Sequence, residues 1–322
     1  MVSHRWHHGA ETPSRRGRSG TEDPYDTLAV DRTAELGDVL RRIAPDVVSL
    51  HNRPQWWDRA PGAAQVVVTF HNFSPAWKLK LADRRKVRAA AVGGAVRASA
   101  VSSALADAAG EMVAARVAVT PPSIAREFFD APPRRAERVV LSPNRLLAKK
   151  GVLELLDVAR RPEFADVQFC FADLISPWAR ATHAHRSLRM AIDDVPNAVR
   201  FRPARSPAEL VERYGRCAVV ACVVNEPEGL GLVALEAQAC GVPLVTTDLG
   251  GLREATFAPN ACIAPGDPDA LASALSAALQ RSPASCEAPS ARVARRFTPD
   301  ASGEHFRQWI EGSLRPQDRG RT

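Results

Sequence analysis

The sequence EGLGLVALEAQACGVPLV, residues 228–245, carries most of the information about architecture and chemistry in this chain. It places the acids Glu228 and Glu236 eight positions apart around a glycine-rich opening and continues with helical composition. Gly241 suits the left-handed position that ends a helix, and Pro243 prevents the helix from resuming, so a buried strand is expected to follow. A helix across the two acids would rise about 12 Å at ~1.5 Å per residue and separate their carboxylates accordingly.

The glycine-rich opening has a composition that suits a phosphate. Open N–H groups at Gly229–Gly231, together with the positive end of the following helix, favour an anion there. Two carboxylates at the expected separation can each bind a pair of hydroxyls, one pair on a transferred sugar and the other on a nucleotide ribose. The alternative is an ordinary amphipathic helix with two chance glutamates. The helix stop, the strand after it and the later Gly250-Gly251-Leu252-Arg253-Glu254 element argue against that alternative.

This segment resembles the nucleotide-sugar site of the family-4-type (group 1) retaining glycosyltransferases of GT-B fold. The family pattern is an acid, Gly-aromatic-Gly, a second acid eight residues after the first, and a later Gly-Gly-x-x-Glu. Leu230 stands where an aromatic residue is usual and keeps the bulk without the ring. The resemblance implies that Glu228 is catalytic and holds the transferred sugar, and that Glu236 holds the ribose. It also implies that Gly229, Leu230 and Gly231 line the donor site.

Composition sets the broad class of the protein. The 322 residues allow about two domains of ~150 residues each, and 45% hydrophobic residues suffice for packed cores. No apolar run reaches the about 18 residues of a spanning helix, and the N-terminus lacks the apolar segment of a signal peptide. These features predict a cytoplasmic protein. The six cysteines form no C-x-x-C pair and are expected to be buried free thiols.

The net charge of +7 bears on the partners of the chain. A basic surface can attract a phosphorylated donor or an anionic membrane, and a lipid-linked acceptor would suit a peripheral position at the inner face of the membrane. Nucleic acid is not predicted as a partner, because no binding motif is present and aromatic residues make up only 6% of the chain. A basic but merely solvated surface remains an equal alternative.

Short apolar strands alternate with helical segments in two series, which predicts parallel βα units and an α/β fold. With the family resemblance, the expected architecture is GT-B: two facing Rossmann-like parallel-sheet domains, the first incomplete. The predicted strands are 45–51, 65–71, 98–102, 116–120, 138–142, 167–171, 198–201, 218–224, 243–246 and 261–263. The predicted helices include 33–44, 86–98, 103–114, 267–280 and 299–314.

Four parts are predicted along the chain. Residues 1–30 are expected to form a disordered basic tail, 31–132 a partial acceptor-side domain, and 136–298 a nucleotide-sugar-binding domain. The resemblance takes the closing helix and tail, 299–322, back to the first domain. Family members normally begin with a strand and a glycine-rich loop, and residues 1–44 contain none. Truncation, a late gene start or true degeneration of the first domain are the explanations left open.

Cations follow the first strand of the second series. Ligands of open α/β sheets bind beyond the carboxyl ends of the strands, where Arg145 and Lys150 would meet a diphosphate. The resembled family has an arginine and a Lys-Gly at this spacing, which Arg145 and Lys150-Gly151 match. Such cations stabilise the charge on a leaving diphosphate without a metal. The only Asp-x-Asp triplet, 267–269, fits a helix start, so neither a metal nor a cofactor is predicted.

Histidines end two strands of the first series. The family often has a histidine at the place of His71, near the donor sugar, so His71 is the second predicted catalytic residue. His51, Asn52 and Arg53 resemble an element of some lipopolysaccharide-type members and are possible acceptor-side contacts. His183 and its neighbour at 185 could suggest a metal pair, but no acid or cysteine stands close in sequence, and solvent-exposed histidines are expected.

The leading functional hypothesis is a glycosyltransferase that moves a sugar with retention from a nucleoside-diphosphate-sugar to a carbohydrate or lipid-linked acceptor, as in cell-envelope polysaccharide synthesis. The alternative is a truncated or degenerate, non-catalytic relative that binds a nucleotide or a partner protein. A nicotinamide-dependent dehydrogenase is disfavoured, because Ala234 fills the place of the third glycine in its fingerprint.

Overall fold

The computed structural model describes residues 2–3, 28–29, 33–52, 54–62, 64–73, 81–132, 137–173 and 183–313. Two separate parallel sheets dominate these residues. Strands β1 (Val2–Ser3) and β2 (Leu28–Ala29) form a small third pair, which is also parallel. They lie within the predicted disordered tail, whose composition gave no signal for this pairing. The rest of that tail lies outside the described residues.

The first sheet has four strands in the order in which they occur along the chain. All neighbouring strands pair in parallel. The strands are β3 (Val47–His51), β4 (Gln65–Phe70), β5 (Val96–Ala100) and β6 (Ala118–Val119). The helices are α1 (Thr33–Ile43), α2 (Leu81–Val92) and α3 (Ser103–Val113), with short 3-10 turns at Pro54–Arg59 and Arg126–Phe128.

The second sheet has six parallel strands in the order β12-β11-β10-β7-β8-β9. The strands are β7 (Glu137–Ser142), β8 (Gln168–Ala172), β9 (Ala198–Phe201), β10 (Cys217–Cys222), β11 (Leu244–Thr247) and β12 (Ala261–Ile263). The helices are α4 (Val152–Ala159), α5 (His183–Asp193), α6 (Pro207–Arg216), α7 (Leu232–Ala239), α8 (Leu252–Ala255), α9 (Pro268–Leu279), α10 (Glu287–Arg296) and α11 (Pro299–Ser313). Short 3-10 turns lie at Ala148–Lys150, Pro162–Phe164 and Pro283–Cys286.

The strand order of the second sheet reverses between β7 and β10. From β7 the chain proceeds outward to β8 and β9, and it then returns to start β10, β11 and β12 on the other side. A crevice forms at such a switch point, beyond the carboxyl ends of the two central strands, and ligands of open α/β sheets bind there. The segments that follow β7 and β10 therefore decide what this domain can bind.

Alternation of buried side chains along the strands divides the core in two. One cluster fills one face of the second sheet, with Phe169, Val219 and Leu275 among its members. The other cluster is continuous from the first domain, for example Phe70, to Tyr214 and Leu235 of the second. Because apolar burial contributes about 25 cal/mol per Å², a core shared across the domains stabilises their association as well as each domain.

Most of the predicted elements are confirmed, and β9 and β12 have the predicted bounds. The predicted helix 86–98 is wrong at both ends. The observed α2 ends at Val92, because the Gly93-Gly94 pair follows and Gly94 takes the left-handed backbone, φ +73°. As a result β5 begins at Val96, and Ser102 is an N-cap instead of a strand residue.

The last helix contacts the first domain. His305 Nε2 lies 3.0 Å from the carbonyl oxygen of Val119 in β6, and Arg126 donates to Asp300 Oδ2 at 2.7 Å. Among the described residues, no helix combines the length and apolar character needed to cross a membrane. All six cysteines are free, and four of them are buried.

One histidine departs from the prediction. His183 is exposed as expected, but His185 is buried, with 4% of its surface accessible. The reason is the helical spacing of α5, in which His185, Leu188 and Ile192 share the inner face. His185 Nε2 lies 3.5 Å from a carboxylate oxygen of Asp173.

Candidate functional site

A cavity of about 170 Å³ lies at the switch point of the second sheet and reaches the first domain. It contains three of the residues predicted to bind a donor, and its lining is mostly polar. The lining residues are Asn72, Phe73, Arg145, Lys149, Lys150, Glu226, Pro227 and Glu228.

The segment after β7 places the side chain of Lys150 at this cavity. Gly151 has φ +68°, and an added Cβ there would lie 2.6 Å from Val223 Cγ1, so only glycine fits between this turn and the segment that follows β10. Lys150 is buried, with 8% of its surface accessible, and its Nζ contacts Glu228 Oε2. Its neighbour Lys149 instead faces solvent and pairs with Glu226 Oε2 at 2.8 Å. Of these two lysines, Lys150 is the one held, largely desolvated, against a predicted catalytic acid.

Arg145 is the second cation of the cavity. Its side chain is exposed, and no carboxylate of the described residues forms an ion pair with it. A guanidinium has five donors in a fixed fork that matches phosphate geometry. Because Lys150 is paired with Glu228, Arg145 supplies an uncompensated positive charge at this cavity.

Glu228 is held by backbone pairing and does not lie on a helix. It forms an isolated parallel bridge with Gly250, and the N–H of Gly251 donates to its carbonyl oxygen at 2.8 Å. Helix α7 begins only at Leu232, after Gly231 takes φ +92°. The estimate of the Glu228–Glu236 separation from helical rise is therefore wrong, since the first four residues of that span are not helical.

The glycine-rich opening packs against the first domain. An added Cβ at Gly229 would overlap the carbonyl oxygen of His71, and the hydroxyl of Ser102 donates to the Gly229 carbonyl oxygen at 2.5 Å. Leu230 is only 6% exposed and belongs to the core, so its backbone is the part that remains for a ligand. At Gly231 an added Cβ would overlap the side chain of Leu252. The close approach that these glycines permit is thus between two parts of the protein.

Glu236 lies on α7, outside the lining of the cavity. The hydroxyl of the fully buried Tyr214 donates to Glu236 Oε2 at 2.9 Å. Burial raises the pKa of Glu236, and the hydrogen bond from Tyr214 opposes that rise. The Tyr214 ring contacts Phe128 edge to face, with the ring centroids 6.0 Å apart. Sequence reasoning missed Tyr214, and no motif marks it.

The charges of the site converge on the end of β10. Burial raises the pKa of the Cys222 thiol to about 12. The Lys150 charge lowers that pKa, whereas the charges of Glu228 and Glu236 raise it. Both acids and the buried lysine therefore act on one strand end, and Glu236 belongs to the same electrostatic neighbourhood as the cavity.

On the first-domain side, His71 and His51 form a stacked pair. His51 Nδ1 lies 2.7 Å from His71 Nε2, with the ring centroids 4.9 Å apart. Asn52, at φ +55°, accepts from the His71 N–H through its side-chain oxygen at 2.8 Å. Burial, and secondarily the charge of His51, lower the pKa of His71 to about 4, and burial lowers the pKa of His51. Both rings are therefore neutral at pH 7. Arg53 lies outside the described residues.

Glu254 makes the least expected contacts of the region. Its two carboxylate oxygens accept from the backbone N–H groups of Ser103 and Ala104, both at 2.8 Å. The sequence singled out Glu254 as part of a motif without giving it a role, and no local pattern connects it to residues about 150 positions earlier. Within the described part of the chain, no cluster of three or more His, Cys, Asp or Glu side chains is arranged to hold a metal ion.

Two facing domains with Rossmann-like parallel sheets and a cavity between them define the GT-B class of fold, as predicted. A glycosyltransferase from Rickettsia africae superposes with a TM-score of 0.76 at 17% identity, covering 90% of this chain and 85% of that one. The Anabaena protein HepE in complex with UDP superposes with a TM-score of 0.73 at 16% identity, covering 89% and 86%. At these identities the likeness concerns the fold.

The family follows from the sequence itself. Residues 123–295, more than half of the chain, match the family "Glycosyl transferases group 1". The chain belongs to this family, which confirms the resemblance seen in the donor-site motif.

Curated relatives match over shorter spans. A D-inositol 3-phosphate glycosyltransferase of Kineococcus radiotolerans is 37% identical over 134 residues, 37% of this chain and 31% of the relative. The enzyme of the same name from Acidothermus cellulolyticus is 46% identical over 78 residues, 24% of this chain and 17% of the relative. The chain thus matches less than a third of the length of either relative.

Proposed function

We propose that this chain transfers a sugar, with retention of anomeric configuration, from a nucleoside-diphosphate-sugar to a carbohydrate or lipid-linked acceptor. The observation that carries the proposal is the grouping of Arg145, Lys150 and Glu228 around one cavity at the switch point of a group 1 glycosyltransferase. Structures of HepE are described as complexes with UDP and with UDP-glucose, which supports a donor of this class.

The two cations suit the leaving group of this reaction. The bond between the anomeric carbon and the diphosphate oxygen breaks, and its electron pair goes to that oxygen. The acceptor hydroxyl oxygen forms the new bond to the anomeric carbon on the same face, and its proton passes to the departing diphosphate oxygen. Lys150 and Arg145 stabilise the growing negative charge more strongly in the transition state than in the bound donor, and neither requires a metal for this role. Since Lys150 is already largely desolvated, little reorganisation is needed.

The two glutamates are proposed to hold the two ends of the donor. Glu228, fixed by the bridge to Gly250, would accept hydrogen bonds from hydroxyls of the transferred sugar. Tyr214 holds Oε2 of Glu236, and we assign Oε1 to the ribose hydroxyls. Because Glu236 is buried, its ionised carboxylate is stable only when it accepts hydrogen bonds, and ribose hydroxyls would supply them.

The neutral histidines suit the other substrate. His71 would hydrogen-bond the sugar from the face opposite Glu228 or help to move the acceptor proton, while His51, Asn52 and Arg53 would meet the acceptor. A lipid-linked acceptor would bring this chain, with its net charge of +7, to an anionic membrane surface at the cytoplasmic face.

Calorimetric titration with a panel of donors tests this proposal. UDP, GDP and ADP and their glucose and mannose conjugates would be titrated into wild type, Glu236→Gln and Glu212→Gln. We expect at least one donor to bind wild type, Glu236→Gln to bind it about tenfold more weakly, and Glu212→Gln, an exposed change on α6, to match wild type. Gln at 236 keeps an acceptor for Tyr214, so the fold is preserved. Equal affinity in Glu236→Gln would discard the ribose role, and no binding of any nucleotide would discard the donor class.

A further inference from the structure

The N-terminus of α3 in the first domain is bound by a carboxylate from the second. The first N–H groups of a helix have no partner within the helix, and its positive end favours an anion. Ser103 and Ala104 donate those N–H groups to Oε2 and Oε1 of Glu254, so a single carboxylate spans both donors at 2.8 Å. This contact joins residues 151 and 150 positions apart in sequence.

The residue before the helix adds a second contact to the same domain. Ser102 is buried and caps α3 by accepting from the Leu105 N–H at 3.2 Å. The same hydroxyl donates to the Gly229 carbonyl oxygen at 2.5 Å. The start of α3 therefore contacts both segments of the second domain that adjoin Glu228, one at Gly229 and the other at Glu254.

Backbone contacts connect these segments to the predicted catalytic residues. The N–H of Glu254 donates to the Gly251 carbonyl oxygen at 3.1 Å, and the N–H of Gly251 donates to the Glu228 carbonyl oxygen at 2.8 Å. On the other side, Gly229 lies directly against the carbonyl oxygen of His71. A displacement of α3 relative to Glu254 would therefore change the position of His71 relative to Glu228.

Close fit makes this arrangement specific. An added Cβ at Gly250 would overlap the backbone of Glu228, and one at Gly251 would overlap the Gly229 carbonyl oxygen. Segments packed at this distance leave no room for an intervening water, so a shift of the segment that carries Glu254 is passed directly to Glu228 and Gly229.

We propose that Glu254, with Ser102, is a positioning residue that docks α3 onto the donor segment and so holds His71 opposite Glu228. Neither residue lines the cavity, and neither is assigned a contact with substrate. The role deepens the proposed function and rests on it for its effect on the reaction. The docking contact can be measured without any substrate.

The test compares Glu254→Gln with Glu111→Gln, the same change of charge at the exposed C-terminal end of α3. Gln offers one acceptor and turns its NH₂ group towards the other N–H donor. In Glu254→Gln we expect amide hydrogen exchange at Ser103 and Ala104 to be at least about tenfold faster, with the rest of α3 unchanged and the melting temperature lowered by no more than a few degrees. In Glu111→Gln exchange at both amides should match wild type.

The kinetic arm separates positioning from binding. With UDP, GDP and ADP as probes, the affinity of Glu254→Gln should stay within about twofold of wild type, because the donor cations belong to the second domain alone. Its kcat, measured with the donor that wild type uses, should fall at least about tenfold. The shorter Glu254→Asp keeps a carboxylate and should recover part of kcat. Should Glu254→Gln not fold, Glu254→Asp tests the role instead, with a kcat below that of wild type and faster exchange at Ser103 and Ala104 expected, and wild-type values for both would overturn the role.

Two outcomes contradict different claims. Unchanged amide exchange or unchanged kcat in Glu254→Gln would overturn the positioning role while leaving the proposed function intact. Absence of any transfer by wild type would overturn the proposed function, and the docking contact would then be judged by amide exchange alone.

Discussion

The two walls of the cavity differ in charge. The wall from the second domain carries Arg145, Lys150 and Glu228, and its lysine and glutamate are paired. The wall from the first domain carries the uncharged residues Asn72 and Phe73. The neutral pair formed by His51 and His71 directly precedes this wall in the chain, at the ends of β3 and β4. The wall from the second domain therefore suits a charged ligand, and the wall from the first domain suits hydroxyl groups.

This difference matches the two halves of a glycosyl transfer. Charge develops on the diphosphate that leaves, so fixed cations belong on that side. An acceptor hydroxyl remains neutral until it attacks, so uncharged donors and acceptors suit its side. The contacts of α3 with Gly229 and Glu254 hold the two walls at one distance. Substitutions that remove a charge, disturb the close packing between the walls, or remove a neutral ring should therefore have different measurable effects.

The largest effect is expected when the buried cation of the second-domain wall is removed. Lys150→Ala removes the buried cation and leaves Glu228 without its ion-pair partner. We expect kcat/KM for transfer to fall by about 10²–10³, the usual cost of removing one charge-stabilising donor from an active site. Steady-state kinetics with the donor found by titration would measure it.

The adjacent Lys149→Ala is a matched control. Lys149 is exposed and pairs with exposed Glu226, an interaction that contributes at most about 1 kcal/mol. Its kcat/KM should stay within about fivefold of wild type. Lys149 also lines the cavity, so similar losses in the two variants would mean that positive charge at the cavity matters, and that the buried position of Lys150 does not.

A second change breaks the fit between the walls. Gly229→Ala places a methyl group against the His71 carbonyl oxygen, which is backbone and cannot rotate away. We expect the free energy of unfolding to fall by about 1–3 kcal/mol, together with a loss of transfer. Urea denaturation measures the first effect, and kinetics the second.

Gly215→Ala supplies the comparison for that substitution. Gly215 lies in α6, and nothing lies within 4 Å of an added Cβ, so alanine should stabilise the protein by about 0.5–1 kcal/mol. Equal stability of Gly229→Ala and wild type would show that the two domains do not pack as closely as the contact between Gly229 and the His71 carbonyl oxygen implies.

Some features of the two domains could be predicted from the sequence and others could not. The βα alternation, the cations after β7 and the glycines around Glu228 all follow from local patterns, because turns, helix ends and strand ends have compositional rules. The separation of Glu228 and Glu236 was estimated wrongly, because the bridge that holds Glu228 against Gly250 is a contact of two loops. Tyr214 at Glu236, and Glu254 at Ser103, are likewise products of packing that no local period encodes. His185 was expected to be exposed and is buried, because no helix was predicted at α5 and its shared face with Leu188 and Ile192 was therefore not recognised.

The smallest expected effect concerns the neutral wall and pH. The folded-state pKa of His71, about 4, lies below its ordinary value of 6.5, so the unfolded chain binds more protons between these values. The stability from this group is complete above about pH 6.5 and is lost as the pH falls towards 4. Because His71 is only partly buried, we expect about 1 kcal/mol or less. Urea midpoints at pH 7 and pH 5 should therefore differ less in His71→Asn than in wild type, whereas His183→Asn, at an exposed histidine of α5, should keep the wild-type difference. An unchanged difference in His71→Asn would show that its ring is solvated and that the first-domain wall is charged at low pH like any surface.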